Sequence, residues 1–331
     1  MASAVNTVWR DSSPDSVDAD LAALWLEAGK QGPVSRALMS NLVVVSPRGE
    51  FPDVEPLARK HPARTIFLSY RQGVECAAPP EAVRIGLRTF DEGDARRGLE
   101  LIAVRAACAD RSIPSIVRRL TAGDVPTTVW WACDLSDAVP PDTVTTLGRR
   151  LVYDSALWRD VKGGVAAAAA LVERSPATSF ADLNWRRTAA LREGLARAFR
   201  TLKPTTSIHV SSARVVHASG QAAAGWLIAG WLTARLKGAM GTPIVVEEHD
   251  APLPLWVSLS GEGWGLTASM TSHQVEVKDG FPAFTLPVPQ ETEADSLASE
   301  LVNAAQNQGL RDALLALNTT PHPTRGRSSS A

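Results

Sequence analysis

The sequence predicts an α/β protein of two domains, each a mixed sheet with packed helices. Three observations carry this expectation. Short β-branched runs alternate with segments of helical periodicity. The length of 331 residues corresponds to two domains at roughly 150 residues each. A turn-rich stretch, Ser175-Pro-Ala-Thr-Ser-Phe180, interrupts the alternation near the middle. The expected layout is a first domain over 1–175 and a second over 176–318 that opens with a long helix. A polar Pro- and Ser-rich tail, 319–331, is expected to be disordered.

Each element follows from local pattern. Asp15 to Lys30 is expected to be helical, because Val17, Leu21, Leu24, Trp25 and Ala28 fall on one face before Gly32-Pro33 stops the chain. Asn41 to Ser46 is a continuous β-branched run closed by Pro47, the mark of a buried strand. A short helix over Asp53 to Lys60 and a strand over Thr65 to Tyr70 follow. Val83 to Phe90 and Leu99 to Ala106 flank Asp91-Glu-Gly-Asp94 and read as a hairpin. Ser112 is placed to cap a helix that enters through Pro114 and leaves at Gly123. Strands at Pro126 to Trp131 and Arg150 to Tyr153 precede an Ala-rich helix over Gly163 to Arg174.

Past the break, Asp182 is positioned to N-cap a helix running to Leu202, with Leu191, Leu195, Ala198 and Leu202 on its apolar side. The rest reads as a strand over Ser207 to His217, a helix over Gln221 to Lys237, a strand over Pro243 to Glu248 and short strands between Leu255 and Leu286. A helix over Glu293 to Asn307, with one more turn to Leu317, closes the fold.

Composition excludes several functions. Thirty-four Lys and Arg balance 35 Asp and Glu, so there is no net positive field of the kind that drives phosphate-backbone binding. Neither nucleic acid nor membrane is expected as a partner. The longest nearly uncharged helical stretch, Gln221 to Leu232, falls well short of the ~20 residues a membrane span needs. Cys76, Cys108 and Cys133 are odd in number and form no C-x-x-C pair, which points to reduced thiols and a cytoplasmic location. Ten Trp against 7 Phe and 2 Tyr, with Arg well above Lys, enriches the residue types common at interface hot spots.

No catalytic constellation emerges. There is no G-x-S-x-G nucleophile elbow. Gly220-Gln-Ala-Ala-Ala-Gly225 sits between a strand and a helix, as a P-loop would, but Trp226-Leu227 replaces the Lys and Ser/Thr that hold phosphate and Mg²⁺. Gly261-Glu-Gly-Trp-Gly265 lacks the dinucleotide spacing. His209 and His217 would lie about 26 Å apart along one extended strand, too far to share a metal ion. No cofactor and no metal are expected. His61 and Arg64, beside Pro62, are candidates for binding a phosphate or carboxylate, against a structural role for both. Trp130 and Trp131 point to opposite faces of their strand, so one is expected in the core and the other on the second face or the rim, as a partner anchor. Trp185, Arg186 and Arg192 offer the same reading on the long helix.

Six segments, taken in order, resemble the OpcA family of glucose-6-phosphate dehydrogenase assembly proteins. They are Asn41-Leu-Val-Val-Val45, His61-Pro-Ala-Arg-Thr65, Val125-Pro-Thr-Thr-Val-Trp-Trp131, Arg150-Leu-Val-Tyr-Asp-Ser155, Asp182-Leu-Asn-Trp-Arg186 with its helix to Phe199, and Ala229-Gly-Trp-Leu-Thr-Ala-Arg-Leu236. The resemblance implies a non-catalytic helper that binds glucose-6-phosphate dehydrogenase and stabilises its active oligomer, supporting NADPH supply by the oxidative pentose phosphate pathway. The alternative is an enzyme or binding module for a phosphorylated small molecule, with His61, Arg64 and the Ser219-Gly220 helix entrance as anion donors.

Overall fold

The strands form two sheets: the central strands of the larger are buried at nearly every position, whereas those of the smaller alternate. The computed structural model describes residues 6–70, 82–106, 113–201, 209–249, 255–278, 283–303 and 305–319. The first half comprises β1 (Asn6–Ser12), α1 (Val17–Lys30), β2 (Ser35–Arg36), β3 (Ser40–Val45), α2 (Glu55–Lys60), β4 (Ala63–Tyr70), β5 (Ala82–Glu92), β6 (Ala95–Ala106), α3 (Ile113–Leu120), β7 (Thr127–Trp131), α4 (Asp142–Thr145), β8 (Arg150–Tyr153) and α5 (Val161–Arg174). The second comprises β9 (Ser179–Asp182), α6 (Leu183–Arg187), α7 (Ala189–Thr201), β10 (Ser212–Ala218), α8 (Ala222–Arg235), β11 (Val245–His249), β12 (Leu255–Gly261), β13 (Trp264–Met270), β14 (Gln274–Lys278), β15 (Phe284–Pro287), α9 (Glu293–Val302) and α10 (Gln308–Thr319).

The larger sheet has the order β1-β5-β6-β4-β3-β7-β8-β9, with β2 paired to β6. Its centre is parallel from β6 through β9, and the β5–β6 hairpin with β1 makes an antiparallel edge. The smaller sheet runs β11-β10-β12-β13-β14-β15, antiparallel except for β10–β11. The mixed sheets and packed helices predicted from the alternation are present.

The β3 run is buried at every position because helices cover both faces of the larger sheet. Val43 and Val45 pack with Leu21 and Leu24 of α1, Leu120 of α3 and Val165 of α5 on one face. Leu42 and Val44 pack with Leu57 of α2 and with Leu297 and Leu301 of α9 on the other. The first of these cores continues without a break through α7, α8 and α10 to Val257, Leu259 and Val275 of the smaller sheet.

Three expectations are corrected. Part of the turn-rich stretch is a strand: after a turn closed by Thr178 N donating to Ser175 O (3.0 Å), β9 adds to the larger sheet beside β8. The long helix from Asp182 is two helices. The Thr188 hydroxyl and the Arg192 guanidinium both donate to the Trp185 carbonyl, at 2.9 and 2.7 Å, and withdraw it from the helical ladder. The helix from Glu293 ends at Val302. Asn303 Oδ1 accepts from Ala305 N, and the Ala305 carbonyl accepts from Arg150 and Ser179, so the backbone turns inward before α10 begins. Ser112, Cys76, Cys108 and the tail beyond Thr319 lie outside the described residues.

α9 therefore follows the smaller sheet in sequence but covers the larger one. Its anchor is Glu300, which forms a buried ion pair with Arg150 of β8. Arg150 also donates to Ser179 Oγ (3.0 Å) and Ala305 O (2.9 Å). Removing one partner strands a buried charge, whereas replacing both with apolar groups does not. Glu300→Ala is expected to lower unfolding free energy by about 3–5 kcal/mol, and Arg150→Met with Glu300→Leu to recover most of that loss, both read by chemical denaturation.

Candidate functional site

The tryptophans at the end of β7 are both core. Trp131 is fully buried against one face of the larger sheet, and Trp130, at 6% exposure, is buried on the other under α2 and α9. The two rings lie on opposite faces, and α9 covers the face on which Trp130 lies. Trp185 is buried as well, and the Arg192 guanidinium stacks on its ring at 3.6 Å. Arg192 Nη1 also donates to Thr188 Oγ1 (2.5 Å), so this arginine braces the α6–α7 corner. Arg186 remains half-exposed. Its Nε and Nη2 donate to Glu291, both at 2.7 Å, and Nη1 reaches Glu300 at 3.5 Å.

His61 and Arg64 are not an exposed anion pair. Arg64 is buried, with Nε donating to Glu100 at 2.7 Å and Nη1 to the Leu120 carbonyl at 3.0 Å. A guanidinium already neutralised this way has no charge to spare for a ligand. The His61 ring is buried against Ser40 Oγ at 2.9 Å. Cys133 is half-buried with its Sγ 3.6 Å from Ser46 Oγ, and burial pushes the thiol up, away from thiolate reactivity.

The C-terminal ends of β8 and β9 carry a cluster the sequence did not reveal. Asp182 is buried, and its Oδ1 accepts from Ser155 N (2.9 Å) and Asn184 N (3.0 Å). Its Oδ2 has no partner among the described residues, nor has the hydroxyl of buried Tyr153. Burial, reinforced by the Asp154 carboxylate, pushes the Asp182 carboxyl up to about 7. Asp154 is held by Arg187 through two bonds, at 2.9 and 2.8 Å. Asp182 also caps α6, as its position in the sequence predicts. The proximity of Asp154 depends on β8 and β9 being adjacent, which no local pattern encodes.

Beside this cluster a groove of 1380 Å³ opens between the β8–α5 connection and the β10–α8 connection. Trp158, Arg159 and Lys162 line one wall, and His217, Ala222 and Ala223 the other. The groove thus lies between the end of β8 in the larger sheet and β10 with β11 in the smaller one. Gly220, at φ +80°, makes the turn that brings the chain from β10 into α8. The His217 ring then lies against the first turn of that helix. A Cβ at Gly225 would sit 2.6 Å from His217 Cδ2, so only glycine permits this approach. Among the described residues, no cluster of three or more His, Cys, Asp or Glu side chains is placed to hold a metal ion.

Comparison with known families bears on both sides of the groove. A model described as the glucose-6-phosphate dehydrogenase subunit N-terminal domain matches residues 54–170, and one described as the C-terminal domain of the same subunit matches residues 178–314. The chain belongs to the OpcA family. Its association with glucose-6-phosphate dehydrogenase follows at the level of the family name. No curated protein sequence matches the chain significantly. Among solved structures, it is similar to the transcriptional regulator Gal80p of Kluyveromyces lactis, at 9% identity over 84% of this chain and 87% of that one, with a TM-score of 0.40. It is also similar to biliverdin reductase of Synechocystis sp. PCC 6803, solved with biliverdin and NADP+, at 8% identity over 84% and 95% of the two chains, with a TM-score of 0.43. In this OpcA-family chain, Trp158 and Lys162 fall within the first matched region and His217 and Ala222 within the second.

The Asp182 cluster makes stability depend on pH. In the folded chain Asp182 keeps its proton to about pH 7, while the unfolded chain releases it near 3.8. Between those values the folded state binds more protons, so this group's contribution to stability falls as pH rises. Asp182→Asn keeps an oxygen for the Ser155 and Asn184 amides and removes the titration. The difference in unfolding free energy between variant and parent is expected to grow from pH 4 to pH 7, by up to about 4 kcal/mol, and to level off above. Urea titrations at several pH values measure it.

Proposed function

We propose that this chain is a non-catalytic assembly factor and activator of glucose-6-phosphate dehydrogenase, which binds and stabilises the dehydrogenase's active oligomer. The observation that supports the reading is the match to two glucose-6-phosphate dehydrogenase subunit models, in order, over both sheets. Physically, such a helper acts only through differential affinity. It must bind the active oligomer more tightly than the inactive form, or it shifts nothing. A cytoplasmic site of action belongs to the same reading.

The partner surface is proposed to include Arg186. Of the five residues singled out for this role, Trp130, Trp131 and Trp185 are core and Arg192 braces the α6–α7 corner. Arg186 lines an open groove of 560 Å³ with Glu193, Pro287 and Gln290. It is the side chain of the five that combines accessibility, charge and a fixed orientation, since Glu291 holds it from one side.

Activity of the cognate dehydrogenase, measured over a range of concentrations of both proteins, is expected to rise with this chain, alongside a shift to larger species in analytical ultracentrifugation. The chain alone is expected to reduce neither nicotinamide cofactor with glucose 6-phosphate. Activity and mass distribution unchanged by the chain would overturn the proposal. Arg186→Ala is expected to weaken dehydrogenase binding about 30-fold, equivalent to ~2 kcal/mol. Its thermal midpoint is expected to fall little, because Glu300 keeps Arg150. Parent-like binding by this variant would remove Arg186 from the interface.

A further inference from the structure

We infer that the outward face of the smaller sheet is a docking surface for a second copy of this chain. The helices that pack against this sheet, α7 and α8, lie on its other face, over Val215, Val257, Leu266 and Val275. Burial alternates accordingly along β10, β12, β13 and β14. The residues between the buried ones, Val216, Trp256, Ser258, Thr267 and Ser269, stand in register across the open side. Trp256 is half-buried there and, like Val216, belongs to neither apolar core. An antiparallel sheet that only faces water is free to carry charge at any outward position. Here β12 and β13, the two central strands, carry none. The charges stand on the flanks, Arg214 of β10 with Glu247 of β11 at 2.5 Å and Lys278 with Glu276 of β14 at 2.7 Å. A charge-depleted centre around a tryptophan, inside a charged rim, is the make-up of a protein interface.

The face is complementary to itself. Arg214 and Lys278 cancel Glu247 and Glu276, and His249 at one corner is formally neutral, so a second copy meets no repelling field. A closed pair of copies needs a two-fold axis, about which each patch meets its own equivalent. The register supplies one. Val216, Trp256, Ser269 and Glu276 form one row across the strands, and Arg214, Ser258, Thr267 and Lys278 form the next. A two-fold axis between these rows, in the plane of contact and perpendicular to the strands, sets each row on the other row of the second copy. Glu276 of each copy then meets Lys278 of the other, and Arg214 comes within one strand of Glu247. The two Trp256 rings lie on either side of the axis, over Ser258. Six strands at ~4.8 Å spacing, up to seven residues long at ~3.4 Å each, give about 500 Å² per copy. A pair buries about 1,000 Å², enough for a specific contact but at the small end, so the dimer is expected to be reversible.

Sedimentation equilibrium of the full chain without the dehydrogenase tests this, and its outcome is independent of the assembly role. A reversible shift from monomer to dimer is expected as concentration rises to about 0.2 mM. Three variants change outward side chains only. Ser269→Glu puts a charge at the uncharged centre and is expected to weaken the dimer at least tenfold. Lys278→Glu and Glu276→Lys each set like charges against like across the axis, and each is expected to do the same. Mixed together, these two variants are expected to pair with each other at close to the parent affinity, because the negative patch of one then faces the positive patch of the other. In dilute solution, where the parent too is monomeric, the thermal midpoint of each variant is expected to stay close to that of the parent. A parent chain that is monomeric at every concentration would overturn the inference. So would parent-like dimerisation of all three variants, or failure of the two charge variants to pair when mixed. Loss of dehydrogenase binding in these variants, with no self-association by the parent, would assign the face to the dehydrogenase instead.

Discussion

The Arg150–Glu300 ion pair is the constraint on which the rest of the architecture depends. Two charges buried together are best tolerated when their remaining hydrogen-bonding capacity is met. Here Ser179 and the Ala305 carbonyl share Arg150 Nη1 while its Nε has no partner among the described residues, and Arg186 approaches Glu300 from outside. These contacts join β8, β9, α6 and the segment after α9. They bring a helix encoded at the end of the chain across to the larger sheet, where Leu297 and Leu301 cover Leu42, Val44 and Trp130. Burying each such leucine contributes about 1.5–3 kcal/mol, so the ion pair positions apolar surface that in turn stabilises the fold.

The two halves share one apolar cluster. The apolar core runs from α1 and α5 through α7, α8 and α10 into the smaller sheet. At α8 and α10 the backbones come close. A Cβ at Gly230 would lie 2.5 Å from Leu317 Cγ and 2.6 Å from the Ala313 carbonyl. The groove sits where the continuous core gives way to polar and aromatic walls, between the starts of α5 and α8 and the segment that enters β11.

Function divides along the same line. Family membership rests on residues distributed through both sheets, many of them core. Trp130, Trp131 and Trp185 belong to the segments that resemble the family, yet they are buried. Their place in those segments reflects what the fold requires more than what a partner touches. The accessible charged side chains are instead Arg186 and, in the larger groove, Arg159 and Lys162.

Much of the fold was legible in the sequence. The β-branched run at Asn41 to Ser46, the hairpin around Gly93, and the helices ending near Lys30, Arg174 and Arg235 all declare themselves through local periodicity and turn chemistry. Asp182 was readable as a cap because capping is a local interaction. The breaks at Thr188 and Asn303 were not, since Arg192 and Arg150 create them by pulling carbonyls out of otherwise good helical sequence. Nor were the buried state of Arg64, the meeting of Asp154 with Asp182, or the groove. Each depends on which strands become neighbours and on a helix from the end of the chain closing a face formed near its beginning. Charge burial and cavity shape are properties of that packing, so residue spacing determined the elements of this OpcA-family protein, and tertiary structure alone decided which side chains remain free to bind.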